Sequence, residues 1–384
     1  MTLLTVMALA LIAIAWVGYP LVATLLSWRR PRTGSARHAT RRSVSAVVAT
    51  RDPPAVVAAR VEDVLSAAYP RELLEVVVAV DATVGSDLLD YIALLPPTVR
   101  VVAGDPPGGK AVTLNAGVRA ATSEIVVFAD AAQRFDADAI PALVNFLADH
   151  EAFGAVSGAY RTRPVSEAWV LRVFWALETQ IRRAEARLHS LVAVTGAIYA
   201  IRRHLWRPLP AGLICDDLYV PLQVAASGFR VGFCEAALAS DPRTFDQRQE
   251  FSRKVRTLTG LLQVCRWYPW VLSPWRNSVW LQFVCHKLLR LATPYLTLAA
   301  LVGLAPIWVS RAADLWPVSV AVLVLWASAA ITGPPAAQRV LKRATWLIWL
   351  QAAPIVATLN AIRGRWDVWQ HAPPAEPSAS LTVA

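Results

Sequence analysis

Asp81, Lys110, Asp130, the adjacent acids Asp216 and Asp217, and the basic residues Arg253 and Arg256 form a spaced series of carboxylates and cations across the middle of the chain. Such a series suits a phosphorylated substrate, because cations offset phosphate charge and neighbouring carboxylates perturb one another's proton affinity. Its most local element is Gly108-Gly109-Lys110 followed by Leu114-Asn115-Ala116-Gly117. Glycines let backbone amides approach a phosphate, a helix N-terminus turns its positive end towards it, and a lysine adds a point charge for a diphosphate. The Walker spacing is absent, and a Pro-Pro-Gly-Gly turn with a solvated lysine reads the same string as structure alone.

The elements that position these groups follow from periodicity. Short apolar runs at 44–49, 75–80, 99–103, 124–129 and 154–158 read as strands, and 56–68, 86–95, 111–121 and 138–149 read as helices between them. Continuous rather than alternating apolar strands predict a largely parallel sheet covered on both faces, which binds ligands beyond the carboxyl ends of its strands. Asp81 and Asp130 fall at two such ends. An ordinary loop-opening or N-cap aspartate is the competing reading of either one alone, and a shared sheet edge favours a site.

The chain has 384 residues, 56% hydrophobic and 17% charged, with a mean hydropathy of +0.43, which is apolar for a water-soluble domain. Residues 2–27 form one apolar run ending in Trp28-Arg29-Arg30-Pro31-Arg32. No charge precedes the run and it is long enough to span, so it reads as an anchor rather than a cleaved signal, with the basic side and everything after it cytosolic. Further candidate spans lie at 291–310, 315–333 and 345–362, and the basic linker Arg339, Lys342 and Arg343 belongs inside. Three crossings strand Arg363 and Arg365 outside, so either one segment is re-entrant or the count is off by one. The net charge of +11, mostly arginine, suits anionic lipid or a phosphorylated substrate. The aromatic-interleaved basic stripe of a nucleic-acid binder is not visible, and cysteine and histidine spacings support neither a disulfide framework nor a zinc site.

The Gly-Lys-x-x-x-Leu-Asn-Ala-Gly string, Phe128-Ala129-Asp130, Thr195-Gly196-Ala197, Asp216-Asp217 and Arg253-x-x-Arg256, in that order, resemble family 2 glycosyltransferases over residues 40–290. The membrane-bound branch that includes cellulose, chitin and hyaluronan synthases has the same flanking layout. The resemblance implies an α/β GT-A fold, Rossmann-like with a largely parallel sheet, together with transmembrane helices, a nucleotide-diphospho-sugar donor, a divalent cation (Mg or Mn) and inversion at the anomeric carbon. By position, Thr50, Asp81, Gly109, Lys110, Asp130 and Arg253 stand on the donor side, with Asp81 at the base or ribose and Asp130 at the metal–diphosphate. Ala132 replaces the second acid of the family's Asp-x-Asp, and Thr50-Arg51-Asp52 replaces its Asn-Glu. An octahedral cation can still take one carboxylate, diphosphate oxygens and water.

The resemblance makes Asp217 the general base beside Asp216, and Arg256 the cation at the leaving diphosphate. Helix capping remains the structural reading of the acid pair, and a basic face on lipid that of Arg253. Thr195-Gly196-Ala197 lines the acceptor side or makes a tight apolar turn. Thr257 stands where processive synthases carry tryptophan, which argues for single transfer to a lipid-linked or glycan acceptor over processive synthesis with export or a non-catalytic scaffold. Residues 168–188, with Arg172, Arg182, Arg183 and Arg187, and 267–290, with Trp267, Trp270, Trp275 and Trp280, read as helices on the membrane surface. Trp267 or Trp270 stacking on a sugar is the alternative. The expected organisation is an anchor at 1–28, a cytosolic transferase domain at 40–265, an interfacial helix at 266–290, three spans in 291–363 and a tail of disordered composition at 364–384, all in a plasma or inner membrane.

Overall fold

The computed structural model describes residues 2–30, 42–84, 88–162, 169–243 and 246–367. A first apolar helix, Leu3–Trp28 (α1), precedes the domain that carries the charged series. That domain begins with Val44–Thr50 (β1), Pro54–Leu65 (α2), Leu74–Val80 (β2), Leu88–Leu94 (α3), Arg100–Ala103 (β3), Lys110–Ala120 (α4) and Ile125–Ala129 (β4). It continues through Arg134–Phe135 (β5), Ala139–Asp149 (α5), Phe153–Thr162 (β6), Trp169–Leu188 (α6), Ile198–Arg202 (β7), Asp216–Ala226 (α7) and Arg230–Asp241 (β8). Gln247–Trp267 (α8) closes it, and Trp280–Ser310 (α9), Ala312–Ile331 (α10), Pro335–Leu350 (α11) and Ala352–Ile362 (α12) follow.

The eight strands form one sheet in the order β3-β2-β1-β4-β7-β6-β8-β5. β1 to β4 are parallel, as the unbroken valine runs dictate, and both faces of β1 are buried under helices. β7 enters antiparallel between β4 and β6, and β5 runs antiparallel to β8. β5, β7 and β8 escape a reading based on apolar runs; β8 exposes Glu235 and Ala236 midway along its length. β1 is flanked by β2 on one side and β4 on the other, so the crevice of the sheet opens where their carboxyl ends meet. Register sets Thr50 opposite Val80, leaving Asp81 just beyond the edge, while Asp130 follows β4 directly.

Packing of α4 explains the glycine in its string. A Cβ on Gly117 would lie 2.5 Å from Val47 Cγ1, so only glycine lets the helix rest this close to β1. Small residues play the same part in α1: Thr5, Ala8, Ala15, Pro20, Ala23 and Ser27 are its buried positions, while Leu3, Val6, Met7, Leu21 and Val22 are exposed. The first part of the stripe meets α9, where Thr2 Oγ1 donates to Gly303 O at 2.8 Å and Trp16 Nε1 to Thr293 Oγ1 at 3.0 Å, and the second part packs on α6. Helix pairs in lipid associate through such small-residue stripes.

The C-terminal helices depart from the expected spans. Among the described residues, α1 and α9 alone are long and apolar enough to cross a bilayer. The helix expected at 291–310 begins at Trp280, so the segment expected at 267–290 divides between the end of α8, a turn and the start of α9. The segment expected at 315–333 lies in α10, Ala312–Ile331, and the segment at 345–362 breaks between α11 and α12. α12 packs along α8, with Asn360 Nδ2 donating to Thr259 Oγ1 at 3.3 Å. The expected tail lies outside the described residues from 368 onward, as do Arg32, Arg37 and Arg41.

Gly117→Val should overpack the α4–β1 contact and cost about 1–3 kcal/mol. A melting temperature equal to wild type would show that α4 does not need this approach.

Candidate active site

The edge of the sheet begins with a braced turn. Asp81 is buried, its Oδ1 accepting from Thr83 N and Thr83 Oγ1 at 2.9 Å and its Oδ2 from Gly109 N at 2.9 Å. Gly108 and Gly109 have φ of +90° and +97°, and a Cβ on Gly108 would meet Asp81 and Thr83. The carboxylate therefore holds the glycine turn in the backbone form that presents α4, a loop-bracing part. Thr50 lies beside it, its Oγ1 accepting from Asp52 N at 2.9 Å.

Lys110, the first residue of α4, points from that turn into an acidic cluster. Its Nζ lies 3.2 Å from Asp130 Oδ1 and 3.4 Å from Asp216 Oδ1. Burial lowers the proton affinity of the ammonium, but Asp130, Asp216 and Asp217 outweigh it and hold the pKa above the usual lysine value. Asp130 is neither an N-cap nor a free loop acid, since α5 starts later at Ala139 behind Asp138. The acid pair opens α7, whose N-cap is Cys215 and makes no side-chain capping hydrogen bond. Asp216 Oδ2 is buried and finds no hydrogen-bond partner among the described residues. Burial first, and then the charge of Asp216, pushes the Asp217 carboxyl up to about 6 against the pull of Lys110 and Arg256.

Two amides fix the loop leading to these acids. Asn115, on α4, donates to Leu209 O and accepts from Leu209 N, both at 2.8 Å. Gln263, on α8, donates to Gly212 O at 2.8 Å and accepts from Ile214 N at 2.9 Å. A Cβ on Gly260 would collide with Cys215, so α8 lies against the start of α7 and brings Arg256 close enough to act on Asp217. Arg253, on the same helix, pairs instead with Glu250 at 3.2 Å and lies near Tyr160. Gly196 lies against Asp217, with 3.6 Å from its would-be Cβ to Asp217 Oδ2.

Several neighbours of the cluster carry no sequence signature. Arg182, expected on a lipid-facing surface, turns inward: its Nη1 donates to Thr195 Oγ1 at 2.8 Å and its Nη2 to Ser157 Oγ at 2.6 Å. Arg183 pairs with Glu235. Asp241, ending β8, accepts from Tyr160 Oη at 2.7 Å and Gln133 Nε2 at 3.1 Å and pairs with Arg243 at 2.9 Å. Burial raises its pKa, and the bonds from Arg243 and Tyr160 outweigh that, leaving it below the usual value. The Tyr199 hydroxyl is buried without a partner among the described residues, and burial together with Asp216, Asp217 and Asp130 keeps it protonated. Trp267 and Trp270 pack on the core, while Trp275 is 92% exposed.

Among the described residues no three His, Cys, Asp or Glu side chains are grouped to hold a metal ion. Asp130 is the most open acid on Lys110, with 35% of its side chain exposed against 5% for Asp216, and Ala132 adds no ligand. This donor set fits a hard cation that takes one protein carboxylate and fills its shell with phosphate oxygens and water, and it does not fit an all-protein cage.

A strand-edge cluster of this make-up on a mostly parallel sheet defines a nucleotide-sugar transferase of the GT-A type. The family described as "Glycosyltransferase like family 2" matches residues 41–261, more than half of the 384-residue chain. The chain belongs to that family and is a glycosyltransferase. Among solved structures it is similar to the mannosyltransferase PcManGT from Pyrobaculum calidifontis in complex with GDP-Man and Mn2+, at 21% identity and a TM-score of 0.67, over 94% of this chain and 100% of that one. Glucosyl-3-phosphoglycerate synthase from Mycobacterium tuberculosis, in complex with Mn2+, UDP and phosphoglyceric acid, matches at 18% identity and a TM-score of 0.42, over 58% of this chain and 78% of that one. No curated protein matches the chain in sequence.

The raised Asp217 value has a consequence for stability. Between the ordinary value of 3.8 and about 6 the folded state holds a proton that the unfolded chain has lost, so stability from this group falls as pH rises through that window. Asp217→Asn should therefore melt above wild type at about pH 7.5, with the gain shrinking towards zero at about pH 4. Equal melting of the two proteins at the higher pH would contradict a raised pKa.

Proposed function

We propose that this glycosyltransferase inverts the anomeric centre as it moves a sugar from a nucleotide-diphospho-sugar to a lipid-linked or glycan acceptor at the cytosolic face of a membrane. The observation that carries the reading is Asp217: half-buried, beside Asp216, pushed up to about 6, and set against the Gly196 turn. A carboxylate of that proton affinity is matched to general-base work near neutral pH. Asp217 takes the proton of the acceptor hydroxyl, whose oxygen bonds to the anomeric carbon as the bond from that carbon to the phosphate oxygen breaks. The electron pair leaves with the nucleoside diphosphate, and Lys110 and Arg256 offset the charge that develops there.

Asp130 is the residue that would hold a divalent cation, together with diphosphate oxygens and water. Such an ion, when bound, supplies further charge neutralisation on the leaving group. The Mn2+ and GDP-Man named for PcManGT support both the cation and the donor class. Asp81, Thr50 and the Gly108–Gly109 turn form the donor end. Arg253, paired with Glu250, stands further from the acids on this reading.

Membrane attachment rests on α1 and α9, each of span length, with aliphatic side chains outward and small ones inward on α1. Arg29 and Arg30 follow α1 and favour the cytosolic side for the domain. Contact between α12 and α8 supports a place for Arg363 and Arg365 on that same side, which needs one further crossing between α9 and α12. Thr257 on α8 offers no aromatic platform for a growing chain, which favours single transfer.

Purified protein in lipid, given a nucleotide-sugar panel with Mg2+ or Mn2+, should release nucleoside diphosphate and form a product of inverted anomeric configuration by NMR. Release from no donor, or a retained configuration, would end the proposal. Below pH about 6, kcat/KM should fall about tenfold per pH unit. Asp217→Asn should lose a factor of about 10² to 10⁴.

A further inference from the structure

Outside the acid cluster, a second polar cavity lies where the transferase domain meets α9. Trp175, Glu178, Arg182 and Glu185 of α6 line it, with Val194 and, from α9, His286. Its charges are mostly matched: Glu178 accepts from His286 Nε2 and from Arg290 Nη1 at 3.0 Å, and Lys287 lies 3.8 Å away. Glu185 is different. Its Oε1 accepts from Tyr19 at 2.7 Å and lies 2.9 Å from His286 Nδ1, but its Oε2, on a side chain 1% exposed, accepts nothing among the described residues. A buried carboxylate oxygen left so is costly and calls for a donor.

The donor's class follows from the walls. A second anion would face Glu185, whereas a hydroxyl can donate to it. Trp175 supplies an aromatic wall, 46% exposed, beside the two carboxylates, and an aromatic wall with a few placed acceptors suits the apolar face and polar rim of a sugar ring. The cavity also adjoins the chemistry, since Arg182 bonds Thr195, the residue before the glycine that lies on Asp217, and Val194 N donates to Asp217 O at 2.8 Å. We infer that this cavity binds the sugar end of the acceptor, a neutral polyol whose hydroxyl donates to Glu185 Oε2, at a site that α9 completes. The inference rests on the transferase reading and adds the acceptor's chemical class to it.

Binding is tested without a donor, on the full chain in phosphatidylcholine nanodiscs, by saturation-transfer NMR with octyl glucoside, octyl mannoside and octyl phosphate. The glycosides should bind through their ring protons and more tightly than the phosphate, and Trp175→Ala and Glu185→Gln should each weaken them at least about tenfold, the scale of one hydrogen bond to a charged group. Trp275→Ala, in an exposed tryptophan away from the cavity, should leave binding within about twofold. Tighter binding of octyl phosphate, no glycoside binding, or unchanged affinity in both cavity variants would overturn the assignment. Glycoside binding with no turnover of any nucleotide sugar would instead leave the cavity standing and remove the transfer mechanism.

Discussion

One ammonium group holds the site together. Lys110 touches Asp130 from β4 and Asp216 from α7, so a single charge joins the parallel half of the sheet to the helix that carries the acid pair. Without it, three carboxylates would crowd one corner, and the buried Asp216 would lose the cation that pairs with it. The turn that aims Lys110 is in turn fixed by Asp81, which reaches across to Gly109 N. The glycine turn and the acid pair are thus one connected structure, mechanically as well as electrostatically.

The parallel half of the fold was legible because its information is local. Unbroken valine runs give β1, β2 and β4, and an acid after such a run lands at the sheet edge by register alone. The string from Gly108 to Gly117 can be read residue by residue: glycines for the turn, Lys110 for charge, Asn115 to clamp Leu209, and Gly117 to let the helix approach β1. Asp217 and Arg256 converge because α8 folds back over the start of α7, which pairwise motif spacing anticipates without explaining.

What stayed hidden depends on contacts distant in sequence. Arg182 looks like one more cation on an amphipathic helix until α6 is seen against β6 and the Thr195 turn. Asp241 follows a strand with two exposed residues in its middle, so neither the strand nor its terminal acid announces itself. Hydropathy alone likewise does not show that α12 lies along α8 through its small residues Ala353, Pro354 and Ala357 while Ile355, Leu359 and Ile362 stay exposed. Arg253 and Arg256, three residues apart, meet different neighbours, Glu250 and Asp217, because the helix turns them in different directions.

The union of α6 with α1 and α9 has a corollary for the transferase domain taken alone. Glu178 and Glu185 belong to the transferase domain, yet the groups that satisfy them, Tyr19, His286 and Arg290, belong to the two apolar helices. A domain severed from those helices would carry a pair of orphaned acids on a freshly bared surface. The two apolar helices are thereby structural ligands of the enzyme, and trimming them away would leave its domain incomplete.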